Sequence, residues 1–359
     1  MRPIRLLVDS FADANESNSQ MTNARDIIAR LDPERFHVTM FCCGTPHPAL
    51  AARPQTALIR LTERRQTPTI LKEFVFGRQD ILFYIKPSPS SKMYLRFRRK
   101  WLDRKVVIGS VESQCDAPQD ETIKEEQVRL WKQTVLRSDI LVSNSPSVQA
   151  SLKNHYGLCS AIIPTGVDSR FFSRVADRPA NGRPRVLFVG SLRLFKGPQL
   201  LVEAAARYPE ADFVIVGDGP QASNLQRQVH ELRLHNCELT GGLFGPGLRE
   251  QYRRADIFLF PSRWEGSPKV ILEAAACGLP VLARNDYDPQ TVVHGETGYL
   301  ARSDDELLNY LEILLRNFEV RQTMGEASRR LSLRFDWNLI TRQWEEVFTR
   351  EASRAGVRP

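Results

Sequence analysis

Short apolar runs alternate with longer amphipathic stretches along most of this chain. The pattern is clearest in the second half, where RVLFVG (185–190), DFVIVG (212–217), CELTG (237–241), DIFLFP (256–261) and PVLAR (280–284) read as strands. Runs this short and this apolar fit strands of a parallel sheet buried on both faces. Helices are expected between them, at about 197–207, 220–233, 247–255 and 268–277. In the first half the strands fall at 4–9, 36–43, near 57–61, and at 80–85, 105–110 and 139–143, with helices at about 21–31, 121–137 and 145–156. The rest of 44–79 has no readable period. Alternation of this kind predicts an α/β protein with two Rossmann-like, doubly wound domains facing each other across a cleft.

The expected division is a first domain over 1–168, a linker over 169–184, a second domain over 185–334 and a final helix over 335–359. The linker is marked by RPANGRP, a cluster of turn-forming residues. Two surface helices are expected over 304–334. The final helix is amphipathic, with Trp337, Trp344 and Phe348 as large anchors.

The stretch SSKMYLRFRRKWLDRK, 90–105, is basic with interleaved aromatics. Helical spacing aligns Met93, Phe97 and Trp101. One reading is a crossover helix between the flanking strands; the other is a basic surface patch over 92–105 that meets a membrane face peripherally or binds nucleic acid. The two are compatible, because a crossover helix keeps an outer face.

Composition narrows the field. With 359 residues, 42% apolar and 26% charged, the chain can bury sizeable cores. A formal charge of +8 favours anionic partners. The six cysteines form no C-x-x-C pair and the six histidines have no ligand spacing, so reduced thiols, no metal site and a cytoplasmic protein are expected. No apolar run approaches the roughly 20 residues that span a bilayer. The N-terminal MRPIRLLVDS reads as a first strand.

Candidate chemistry concentrates in residues 256–283. There the pattern is strand, polar loop, helix, strand, with Ser267 as helix cap, Pro268 in the first turn and Gly278 as the stop. Glu273 is surrounded by Val270, Ile271, Leu272, Ala274, Ala275, Ala276 and Cys277. A carboxylate in such a place is costly without donors. Lys269 offers a plain ion pair; a ligand's hydroxyl pair is the alternative. Glu265 lies eight residues earlier, about 12 Å at helical rise. Between the two acids a helix N-terminus, with N–H groups at Ser267, Lys269 and Val270, attracts phosphate.

Glu265-Gly-Ser-Pro-Lys-Val-Ile-Leu-Glu273-Ala, the following Cys-Gly-Leu-Pro-Val, the preceding Ala-Asp-Ile-Phe-Leu-Phe-Pro-Ser and the later His-Gly-Glu-Thr-Gly-Tyr-Leu resemble the signature of retaining glycosyltransferase family 4, which has the GT-B fold. The resemblance covers most of 140–300 well and the first 140 residues poorly. It implies a hexosyl transfer from a UDP- or GDP-sugar to a glycan, lipid-linked or small-molecule acceptor, without cofactor. On this reading Glu273 holds the ribose and Glu265 the sugar hydroxyls, with Gly266, Ser267, Pro268, Lys269 and Val270 around the diphosphate.

Gly190-Ser191-Leu-Arg193-Leu-Phe-Lys196-Gly197 lacks the glycine spacing of dinucleotide and Walker loops. It resembles the family's Gly-Arg-Leu…Lys-Gly turn, whose cations hold the diphosphate. Lys196 matches; Ser191 stands where the family has Arg, and Arg193 is the candidate for the second charge. Fixed cations and N–H dipoles stabilise the leaving diphosphate as its charge grows. They would stand in for a metal, so a metal-independent site is expected. The turn at Gly242-Leu243 is expected against the nucleotide base.

On the acceptor side the family's glycine pair and His are missing; Asn15 and Asn18 follow the first strand, and Glu112 follows the strand at 105–110. Two rivals remain: a nucleotide-sugar 2-epimerase on the same fold, and an inactive relative that only binds glycan or lipid. Nucleic acid is not an expected partner. Location is expected to be cytoplasmic, with the inner membrane face as a place of peripheral contact.

Overall fold

The computed structural model describes residues 2–14, 19–62, 65–98, 105–115, 125–174 and 182–356. Two compact units result, one made of Met1–Thr165 with Trp337–Pro359, the other of Gly166–Asp336. Each is built on its own parallel sheet.

The first sheet contains β1 (Ile4–Phe11), β2 (Phe36–Cys42), β3 (Thr56–Arg60), β4 (Ile81–Phe83), β5 (Val106–Val111), β6 (Ile140–Ser143) and β7 (Ala161–Ile162), in the order β3-β2-β1-β4-β5-β6-β7. The second contains β8 (Arg185–Val189), β9 (Asp212–Val216), β10 (Cys237–Gly241), β11 (Ile257–Phe260), β12 (Val281–Arg284) and β13 (Gly298–Ala301), in the order β10-β9-β8-β11-β12-β13. Both are doubly wound. The order reverses between β1 and β4 in one and between β8 and β11 in the other, and ligands enter such sheets at the carboxyl ends of the strands flanking the reversal.

Strand burial explains the apolar runs. Val186, Leu187 and Phe188 of β8, and all four residues of β11, are essentially unexposed. β13 was not apparent in the sequence. Its Gly298 is irreplaceable on steric grounds, because a Cβ there would lie 1.9 Å from the Val281 carbonyl oxygen.

Several expected helices shift. The helix after β11 is Lys269–Ala276 with Pro268 as N-cap and no side-chain cap bond, so Ser267 does not cap it. A proline nitrogen has no N–H to satisfy, which suits it to that boundary. Helices Asp304–Arg316 and Phe318–Ser332 are not surface helices, since Leu307, Leu308, Leu311, Leu314 and Met324 belong to the core. In the basic stretch the helix is Pro89–Phe97 and crosses between β4 and β5. Its buried residues are Ser90, Ser91 and Tyr94, while Met93 is 40% exposed; the Met93–Phe97 alignment therefore marks an outer face. Trp101 lies outside the described residues. So does the start of the helix expected over 121–137, which is described as Glu125–Gln133.

Helix Trp337–Arg354 completes the first unit. Trp337, Ile340, Trp344, Val347, Phe348 and Ala352 join the core that holds Leu6, Val8, Ile28, Phe36 and Phe83. The Phe83 ring sits 4.9 Å from Trp344 and 4.8 Å from Phe348. Burying two such aromatics contributes roughly 1.5–3 kcal/mol each.

Candidate active site at the strand ends of the second unit

Three turns meet beyond β8, β9 and β10. The Gly190 N–H donates to Val216 O at 3.0 Å, and the Gly217 N–H to Gly241 O at 2.9 Å. The turns interlock because they lack side chains. Gly217 adopts φ +151°, and a Cβ on it would fall 1.9 Å from Gly190 O; one on Gly219 (φ +152°) would fall 2.8 Å from Leu192 N. Beyond β10 the glycines stand open. Nothing lies within 4 Å of a Cβ on Gly241, and Gly242 has only Phe244 at 3.9 Å and Asp218 at 4.0 Å. Leu243 packs against the core, and Phe244 beside it is 70% exposed.

Lys196 ends a 3-10 turn, Leu194–Lys196, closed by Gly197 at φ +70°. That turn is fastened to the loop after β11, since the Arg263 N–H donates to Phe195 O at 3.1 Å. The Lys196 ammonium donates to Glu265 Oε1. Ser262, fully buried, donates to the same oxygen at 2.6 Å. The ammonium also lies 5.6 Å from the centre of the Phe260 ring. The two side chains retain 18% and 11% of their exposure, so the pair is reachable from solvent but largely desolvated. Ser191 is exposed, and Arg193 is half-buried at the start of the turn with extended backbone.

Glu273 is half-buried in helix Lys269–Ala276. One partner from outside that helix is Tyr252 of helix Gly245–Arg254, whose hydroxyl donates to Glu273 Oε2 at 2.9 Å. Tyr252 is fully buried against Phe172 and Phe258. Burial first, then the Glu273 charge, push its phenol well above the ordinary range, so it remains a donor. Only the second half of the Glu265–Glu273 span is helical, so the 12 Å figure for a continuous helix does not apply. Gly266 and Pro268 are buried; Ser267, Lys269 and Val270 are partly exposed around the helix N-terminus.

One Asp-x-Asp triplet, Asp286-Tyr287-Asp288, follows β12. Asp286 is paired with buried Arg284 at 2.8 Å, and Arg284 also binds Asp304 at 2.8 Å. Among the described residues no group of three or more His, Cys, Asp or Glu could hold a metal ion, and this triplet forms none.

In the first unit Glu112 is the centre of a polar group at the ends of β4, β5 and β6. Its carboxylate accepts from the Tyr84 hydroxyl, from Ser110 at 3.3 Å and from Asn23 at 3.1 Å, while its carbonyl accepts from Asn144 at 3.2 Å. Tyr84 is buried with φ +61°, a strained region for a bulky residue. Nearby, Asp9 accepts from the Lys86 N–H at 2.8 Å and from Ser91 at 3.0 Å, and burial raises its pKa. Asn15 and Asn18 lie outside the described residues.

Residues 169–331 match the family model described as glycosyl transferases group 1. That segment of the chain is similar to the group 1 glycosyltransferases. It is 32% identical over 192 residues to the sulfoquinovosyl transferase SQD2 of Arabidopsis thaliana, covering 49% of this chain and 37% of that protein. It is 32% identical over 244 residues to a D-inositol 3-phosphate glycosyltransferase of Corynebacterium diphtheriae, covering 60% and 57%. The chain thus spans less than two thirds of the length of these curated relatives. Among solved structures, a sucrose-phosphate synthase from Thermosynechococcus elongatus superposes with a TM-score of 0.78 at 23% identity, over 98% of this chain and all of that one. Anabaena HepE in complex with UDP and glucose gives 0.75 at 18%, over 97% of this chain and all of that one. The protein has the GT-B fold.

Sequence reasoning missed Tyr252, Ser262, Phe244 and the Tyr84–Asn23–Asn144 set. Tyr252 had a signal, as the lone aromatic in the charged run LREQYRR. Ser262 had none, because a serine after a strand is commonplace.

Proposed function

We propose that the protein transfers a hexosyl group, with retention of anomeric configuration, from a nucleotide diphosphate sugar to an acceptor hydroxyl. The observation that carries this reading is the convergence of Lys196, Glu265 and the N-terminus of the Glu273 helix at the β8/β11 reversal of the second sheet. There a cation is paired with the first carboxylate, and an anion-seeking helix end lies between the two acids along the chain. UDP in the HepE structure supports a uridine donor; a GDP-sugar is the second choice.

In this reading Glu273, steadied by Tyr252, accepts from the ribose hydroxyls. Lys196, Arg193 and the N–H groups of Ser267, Lys269 and Val270 face the diphosphate, with Gly190 and Ser191 beside it. Glu265 accepts from the sugar hydroxyls, and the open Gly242–Leu243 turn receives the base. The bond from the anomeric carbon to the diphosphate breaks while the bond to the acceptor oxygen forms on the same face. The acceptor's proton passes to the departing phosphate oxygen, so no strong enzymic base is required. Lys196 and the amides lower the barrier by stabilising the growing negative charge. No metal takes part in this scheme.

The first unit supplies the acceptor, a glycan, lipid-linked or small-molecule alcohol, with Glu112 as its polar anchor. The exposed Lys92 and Arg96 support peripheral contact with an anionic membrane surface, and no described helix is long and apolar enough to cross one.

A thermal-shift series with UDP- and GDP-sugars tests the donor, since a specific ligand raises the melting temperature by mass action. NMR of the product anomer tests retention. Epimerisation of the donor without any acceptor would overturn the transferase reading.

A further inference from the structure

The turn beyond β12 carries a group that the scheme above leaves unused. β11 and β12 are parallel neighbours with Phe260 paired to Ala283, so the chain leaves both strands at the same end of the sheet. Ser262 and Glu265 follow from one, Tyr287 from the other. Tyr287 is fully buried, and its hydroxyl has no hydrogen-bond partner. Buried phenols normally find one, and an orphan calls for a reason. The turn is well defined: Asp288 sits at φ +48° and its N–H reaches Asn285 O at 3.4 Å.

The surroundings point to the reason. After burial, the charge that acts most on this phenol is that of Glu265, ahead of Asp286. Asp286 is already committed to Arg284. Both effects hold the phenol well above its ordinary range, so it is a hydroxyl donor throughout the neutral region. Glu265, meanwhile, uses one oxygen, Oε1, for both Lys196 and Ser262. Lys196 cannot serve Glu265 and a diphosphate equally. A desolvated carboxylate that loses its cation needs another donor.

We propose that Tyr287 is a positioning residue whose hydroxyl donates to the Glu265 carboxylate when a diphosphate draws Lys196 away. The buried hydroxyl then gains its partner as the donor binds. The exchange ties arrival of the diphosphate to alignment of the acid that meets the sugar. This inference rests on the donor reading above.

Tyr287→Phe tests it, because the ring stays and only the hydroxyl goes. With the ligand-free protein, the melting temperature of the variant should equal or exceed that of the wild type, since a buried unpaired hydroxyl is removed. By calorimetry, UDP and GDP should bind within about two-fold of wild type. Release of UDP from UDP-glucose, or of GDP from GDP-mannose, should show kcat lowered about ten-fold or more with donor KM little changed. A ligand-free variant that melts several degrees lower would assign the hydroxyl a structural bond and overturn the proposal. So would unchanged kcat in a variant of intact stability. A wild type that binds no nucleotide sugar overturns the transferase reading and this inference together, which separates the two failures.

Discussion

Lys196 and Glu265 stand 69 residues apart in the chain and share a hydrogen bond across adjacent strand ends. The pair fixes the ammonium against the loop that leads into helix Lys269–Ala276. It also gives the carboxylate a donor that a diphosphate would compete for. A cation held in place costs little reorganisation when charge develops next to it.

Lys196→Ala should therefore harm both binding and turnover. A charge-assisted hydrogen bond of about 1.5–3 kcal/mol corresponds to roughly 10- to 150-fold in nucleotide diphosphate affinity. Calorimetry with UDP and GDP measures it. Unchanged affinity in a folded variant would remove Lys196 from the diphosphate.

The two acids should separate by assay. Glu273→Ala is expected to weaken free nucleotide diphosphate binding by about ten-fold or more, because ribose hydroxyls lose a charged acceptor. Glu265→Ala should leave that affinity near wild type and lower sugar transfer by about 100-fold. The reverse pattern would exchange their roles.

Gly217→Ala should destabilise the second unit. A methyl group 1.9 Å from Gly190 O cannot be accommodated without moving the turn that leads to Lys196. A loss of about 2–4 kcal/mol is expected, read as a lower denaturant midpoint. Gly241→Ala has no such neighbour and carries only the cost of its left-handed backbone.

Asp9 gives a pH signature. Its carboxyl is raised by burial, so the native state holds its proton over a window in which the unfolded chain has lost it. The stability due to this group is present below the ordinary Asp value of about 4 and lost as pH rises through the raised one. Asp9→Asn should flatten that part of the stability–pH curve. An identical curve for the variant would mean that the charged form is fully compensated in the native protein.

The second unit was legible in its sequence because its strands are buried on both faces, which leaves unbroken apolar runs such as DIFLFP. Its helix starts were less so. Ser267 looks like a cap, yet Pro268 takes the boundary, since capping depends on backbone angles that a residue name does not fix. Of the two acids, Glu273 was visible because a carboxylate amid Val, Ile and Ala is conspicuous, and Glu265 because it lies eight residues before it. Their partners were not: Tyr252 reaches Glu273 from another helix, and Ser262 reaches Glu265 only through the turn between them. Glu112 stood out as a lone acid after a strand, while the Tyr84 hydroxyl that holds it depends on an unusual backbone angle.

Helix Trp337–Arg354 covers strands that begin at Ile4. During synthesis the apolar surface of Leu6, Val8 and Phe83 therefore waits for Trp344 and Phe348 to leave the ribosome. The half made first is the half finished last, and until then it is a client for whatever in the cell shields sticky nascent chains.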